Sequence, residues 1–220
     1  MRGATTIRLW DWPVRLTHWV IVLLLPALWW TAEEGLIEQH RVLGLTLLGF
    51  VIFRLIWGFV GSESARFRNF LRGPGTVRAY LRGQATARPG HNPLGGWSVA
   101  ALLAVLSAQL ALGLVAQDEY GLVAGPLNPL LSFDAAETAT EWHEALFNAV
   151  LALTALHVAA ILYYLIVKRD NLVGPMVTGH RRADAGVEPL RPAARWAWAA
   201  AMLGAAAMVG WIALGAPPLT

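Results

Sequence analysis

Six histidines and no cysteine set the chemistry open to this chain of 220 residues. Without cysteine it can form no disulfide, no thiolate nucleophile, no cysteine-held iron–sulfur cluster and no thioether-linked haem. A metal would have to be held by His, Met, carboxylate or backbone. The histidines stand at 18, 40, 91, 143, 157 and 180. Four of them, His18, His40, His143 and His157, fall in or at long apolar segments, where an ionisable side chain is costly and usually functional. His157 follows His143 by 14 residues. In a helix that is roughly 21 Å of rise and close to four turns. The two imidazoles therefore leave one helix on nearly the same face, at two depths.

That spacing suits a pair of stacked b-type haems, each clamped without covalent attachment by two axial imidazoles from different helices. Depth along the apolar segments pairs His40 with His143 near one face and His18 with His157 toward the other. A single interfacial His is ordinarily a snorkelling or hydrogen-bonded side chain. Four that pair by depth favour the two-haem reading over a zinc or copper site. The metal alternative lacks Cys, clustered Met and a carboxylate near His157. Arg54 lies 14 residues after His40, inside an apolar segment with no acidic residue at its depth in any span, and a haem propionate is the expected counter-charge. If Arg54 snorkels instead, the propionates fall to Arg15, Arg66, Arg68 or water. Gly44, Gly49, Gly58, Gly61 and Gly113 could admit a flat macrocycle, and close helix packing accounts for each equally well.

The elements that must position these groups follow from composition. Hydrophobic residues make up 56% and charged residues 14% of the chain, against about 25% charged in a soluble domain. Eleven Trp fit the membrane–water boundary. An integral membrane protein is expected. Disorder, nucleic-acid binding and a secreted disulfide scaffold are excluded. Apolar runs predict four spans, at about 16–31, 39–60, 97–116 and 142–167, and a fifth at 196–214 that is rich in Ala and Gly. No segment alternates as a membrane barrel requires, so strands are not expected. Short amphipathic helices are expected at 67–71 and 76–81 in the long loop 62–96. The N-terminus does not read as a cleavable signal peptide.

Charge orients the chain. Fifteen of the seventeen basic residues, including Arg2 and Arg88, lie before the first span, between the second and third, or between the fourth and fifth. The opposite loops carry Glu33, Glu34, Glu38, Asp118, Glu119, Asp134, Glu137 and Glu141, with Arg41 the one base among them. The positive-inside rule puts the N-terminus in the cytoplasm and, with five spans, the C-terminus in the periplasm.

These stretches resemble the bacterial cytochrome b561 and nickel-hydrogenase b-type cytochrome family. The resemblance rests on W-D-W-P-V-R-L-T-H-W at 10–19, H-R-V-L-G at 40–44, F-R-L-I-W-G-F-V-G at 53–61, R-F-R-N-F-L-R-G-P at 66–74, G-H-N-P-L-G-G-W at 90–97 and W-H-E-A-L-F-N with a following His at 142–157. It covers about 8–182. It implies an all-α membrane protein in which a four-helix transmembrane bundle holds two noncovalent b haems through His18, His40, His143 and His157. It also implies ubiquinone or menaquinone as a further cofactor, and a role for His91 at a quinone or propionate site. The domains expected are the cytochrome b561-like diheme domain at 1–182, a linker at 183–195 and an additional C-terminal helix at 196–214. That helix departs from the four-helix core. Ala200 with Gly204, and Ala206 with Gly210, suit close packing against this chain, a second copy or a partner. His180, in a basic tail, is expected to have no special role.

The expected function is that of an electron-transfer oxidoreductase component of the bacterial inner membrane. It would link the quinone pool to a periplasmic partner such as a c-type cytochrome or a hydrogenase. Oxidation of superoxide with reduction of quinone is the alternative within the family. A haem-free transporter or sensor is the alternative of another class. Purified protein should carry two noncovalent b haems with low-spin, six-coordinate spectra. A pyridine haemochrome assay returning one haem per chain, or none, overturns the pairing of four histidines.

Overall fold

The structure is a computed structural model that describes residues 5–84, 90–118, 120–183 and 190–219. Arg2, Arg88, Glu119 and residues 184–189 of the expected linker lie outside the described residues. Five helices are long and apolar enough to cross a membrane: α1 (Trp12–Glu33), α2 (Ile37–Val60), α5 (Pro93–Val115), α6 (Phe133–Ile166) and α8 (Arg195–Ala213). Between them lie the short helices α3 (Phe67–Phe70), α4 (Pro74–Leu81) and α7 (Val173–Thr178). Helices suit this setting because they satisfy their own backbone in lipid.

One expectation is corrected. Two strands do form, β1 (Thr5–Arg8) and β2 (His180–Ala183), paired antiparallel with Arg8 opposite His180. They are four residues each and lie outside the apolar spans, so no barrel-like alternation marks them. Leu9 and Trp10 extend the pairing, both donating backbone N–H to the Gly179 carbonyl at 2.8 and 3.2 Å.

The chain divides into two compact units. The first comprises 1–17, 54–101 and 153–200, and holds the basic loops. Side chains finish its helix ends. Asp11 caps α1, its Oδ1 accepting the Val14 N–H at 2.9 Å. Its Oδ2 accepts the indole N–H of Trp57 at 2.9 Å. Asn92 caps α5 through the Gly95 N–H at 2.7 Å. Arg15 donates to the carbonyls of Met176 and Val177 at the end of α7, where a cation also favours the helix dipole. Gly58 and Gly61 are packing positions. A Cβ on Gly58 would strike the Phe67 ring, and one on Gly61 the Trp57 carbonyl.

The second unit comprises 18–53, 102–152 and 201–220, and holds the acidic loops. Here the chain returns on the end of α5. Gly125 and Leu127 donate to the carbonyls of Ala116 and Leu114, and the Asn128 amide to that of Val115. Gly125 must be glycine, because a Cβ would collide with the Leu114 carbonyl. Within this unit α8 lies against α2, with Val209 Cγ2 3.6 Å from where a Cβ on Gly49 would stand.

The packed face of α8 carries Ala197, Ala201, Ala205 and Ile212. Ala200, Gly204, Ala206 and Gly210 are exposed. The predicted small-residue pairs are therefore not the face that meets this chain. Ala201→Leu should cost about 1–3 kcal/mol by overpacking, and Ala200→Leu should cost nearly nothing. Thermal unfolding in detergent checks this, and equal midpoints for the two variants would refute the packing face.

Candidate functional site

In the second unit His40, near the start of α2, and His143, on α6, face one another with ring centres 6.2 Å apart and planes at 83°. Each ring is pinned through Nδ1. That of His40 lies 3.0 Å from the Leu28 carbonyl on α1, and that of His143 lies 2.9 Å from the Gln109 carbonyl on α5. A carbonyl has no hydrogen to give. Nδ1 must therefore carry the proton in both rings, and Nε2 carries the lone pair, as a metal ligand requires. The Thr31 hydroxyl sits 3.4 Å from the same Nδ1 of His40.

A cavity of about 540 Å³ opens between these rings. Its size is in the range of cofactor sites. Helices α1, α2, α5 and α6 line it with Leu28, Leu47, Leu106, Leu110 and Phe147 among the apolar groups. Gly44 borders the cavity with nothing within 4 Å of a Cβ. Gly113 is needed for another reason. A Cβ there would stand 2.9 Å from Cε1 of His143. Of the five glycines that could admit a macrocycle, these two line the cavity.

A second cluster forms in the first unit around His91, which precedes α5. Its ring lies against Trp10 and Phe70, with centroids 4.6 Å from each and planes tilted by 58° and 45°. Its Nδ1 is buried without a hydrogen-bond partner among the described residues. Burial foremost, then the charges of Arg54 and His157, hold its imidazole down at about 3, so the ring is neutral at physiological pH. Arg54 is 6% exposed, donates to the Ala65 carbonyl at 3.4 Å and lies over the Phe67 ring at 5.3 Å. Asp11 acts on it electrostatically. No span carries an acid at the depth of Arg54; Asp11, just before α1, supplies one. Beside this cluster the Asn92 amide donates to the Tyr164 hydroxyl at 2.8 Å, which pairs with that of Tyr80 at 2.9 Å.

Of the predicted residues, the structure brings His40 and His143 together, and separately places His91 with Arg54 and His157. His18 lies on α1 and His157 on α6, both half-buried. Arg15 is engaged with the end of α7. Gln109, Leu28, Trp10 and Phe70 are not among the predicted site residues, though Trp10 and Phe70 fall in the motifs at 10–19 and 66–74. Gln109 left a signal, a lone amide in an apolar run four residues before Gly113.

A family model described as prokaryotic cytochrome b561 matches residues 9–179. The chain belongs to that family. It is thereby a membrane cytochrome whose work is electron transfer through b-type haem. No curated protein and no solved structure matches it. The match ends before α8 begins at Arg195.

The residues of this cytochrome b561 fit a haem on geometry. Metal–imidazole bonds of about 2 Å on both sides of one metal put the ring centres roughly 6 Å apart, and the observed separation is 6.2 Å. Both free nitrogens are Nε2, and a cavity lies between them. Gly113→Ala should push the His143 ring and shift the EPR g-values of one low-spin haem. Gly49→Ala, facing Val209, should leave them unchanged. Identical spectra for both variants would show that the ring of His143 is not an axial ligand.

Proposed function

We propose that this cytochrome b561 carries electrons across the bacterial inner membrane between the quinone pool and a periplasmic redox protein, through two b haems. His40 and His143 would hold one, and His18 and His157 the other. The observation that carries the reading is the pair of Nδ1–carbonyl hydrogen bonds, which leaves two Nε2 lone pairs facing across a cavity. The assignment of His18 and His157 is supported by their position in the spans and by their match to the family's motifs. A bound haem supplies reversible one-electron chemistry at iron. The chain's part is to fix the axial rings, exclude water with leucines and place the group within reach of its partners.

Positive-inside topology puts the basic loops in the cytoplasm and the acidic ones in the periplasm. His40 and His143 then belong to the periplasmic side. The carboxylates of the acidic loops would steer a partner with a basic docking face, such as a c-type cytochrome. Among the described residues Arg54 uses one of its five N–H donors on Ala65, so its guanidinium has donors left for a propionate of the second haem. His91, neutral and packed against two aromatic rings, is the candidate contact for quinone.

Two measurements test this. His40→Ala and His143→Ala should remove or convert the same spectral component, leaving the other intact. Electron exchange with a basic c-type cytochrome should slow steeply as salt rises, while an acidic cytochrome stays slow throughout. Loss of different haems in the two variants would break the pairing, and a salt-independent rate would remove the docking role of the acidic loops.

A further inference from the structure

The chain between α5 and α6 holds two large apolar side chains outward. Tyr120 is 72% exposed and Leu122 82% exposed, on either side of Gly121. A hydrogen-bonded stem carries them. Gln117 bridges to Ala124, and the Asp118 N–H donates to the Val123 carbonyl at 2.9 Å. Gly121 turns at φ +66° with its N–H on the Asp118 carbonyl at 3.0 Å. The Asp118 carboxylate also accepts the N–H groups of Leu122 and Val123, at 2.6 and 3.1 Å.

The stem runs along the first turns of α6, away from the apolar span. At its base the backbone of Gln117 exchanges two hydrogen bonds with the Thr140 hydroxyl, both 3.0 Å, two residues before Trp142. At its tip the Cβ position of Gly121 lies 3.3 Å from the ring of Phe133, the first residue of α6. Phe133 precedes Trp142 by nine residues, roughly 13 Å of helix rise. The tip therefore stands clear of the apolar part of α6. Asp134, Glu137 and Glu141 are exposed on the same turns, and no Lys or Arg occurs between 116 and 142. An apolar centre within a charged rim is the plan of a protein interface, and an exposed apolar patch of this kind marks a contact surface.

We propose that Tyr120 and Leu122 are the apolar centre of the surface on which a soluble electron-carrier protein docks, one whose own apolar patch is ringed by basic side chains. The proposal rests on the function proposed above, in which acidic loops steer such a partner, and adds the contact that holds it. The two parts divide the work. Charges act at a distance and set the rate of encounter, whereas buried aromatic and aliphatic contacts set how long the complex lasts. The complementary charge selects the partner, since an anionic lipid surface or another acidic protein would be repelled by the rim. The loop also reaches the redox site. Pro126, four residues after Leu122, lines the His40–His143 cavity, so a partner seated on the tip is anchored to a wall of that cavity.

Stopped-flow electron exchange between the haem-loaded protein, one copy per nanodisc, and a basic c-type cytochrome over a range of salt tests this. Tyr120→Ser combined with Leu122→Ser should keep haem content and spectra. It should weaken binding about tenfold or more through faster dissociation, and leave the salt dependence of association as in the wild type. Glu137→Gln combined with Glu141→Gln should do the reverse, slowing association and flattening its salt dependence with dissociation little changed. Equal dissociation rates for the wild type and the serine variant overturn the proposal. The other occupants are checked with Tyr120→Cys, which carries a single fluorescent label because the chain has no cysteine. Quenching by aqueous iodide supports the docking surface. Quenching by a lipid-borne nitroxide and not by iodide assigns the tip to the bilayer, and efficient disulfide crosslinking between unlabelled Tyr120→Cys copies in the native membrane assigns it to self-association; either overturns the proposal. Wild-type exchange that is absent or indifferent to salt sinks the underlying reading instead.

Discussion

Two hydrogen bonds from imidazole to backbone carbonyl decide what the rest of this molecule can do. The carbonyls of Leu28 and Gln109 belong to helices, and an oxygen with two lone pairs can take the additional proton without leaving its ladder. In apolar surroundings such bonds are stiff. They fix each ring's tautomer and its orientation. The turn between α1 and α2 serves this end. Gly35 takes φ +64°, Leu36 donates to the Thr31 carbonyl, and the chain reverses tightly enough to set His40 against a carbonyl twelve residues earlier.

The arginines that give the chain its charge asymmetry have a second occupation. Arg15 closes α7, Arg66 donates to the Gly61 carbonyl at 2.7 Å just beyond α2, and Arg181 grips both oxygens of Asp170 at 2.8 Å. The basic side chains of the loops thus also hold the segments just outside the spans in place.

The spans were legible because burial in lipid leaves a continuous apolar run. Their ends were less so. Helix α6 starts at Phe133 rather than near 142, because its first turns are polar outside yet bury Ala136 and Ala139. The strands β1 and β2 left no trace, since each depends on a partner far along the chain. The histidines could be chosen from type and spacing. Their orientation could not, because its determinants are backbone carbonyls, which have no side-chain signature. Asp11 sits outside the apolar run in sequence and was not counted as a neighbour of Arg54, though folding brings it within electrostatic reach.

The pairing of Thr5–Arg8 with His180–Ala183 has a consequence in time. Residues 5–8 leave the ribosome well ahead of their partner strand, which comes some 170 residues later. At about 5–20 residues per second the first strand waits roughly 10–35 s for its mate. During that interval α1 can insert, but Leu9 and Trp10 have no Gly179 carbonyl to meet, and His91 lacks the finished aromatic wall that Trp10 completes. Closure of this two-stranded clasp is therefore a late event of biogenesis. The cluster around His91 matures only after the fourth span has been made.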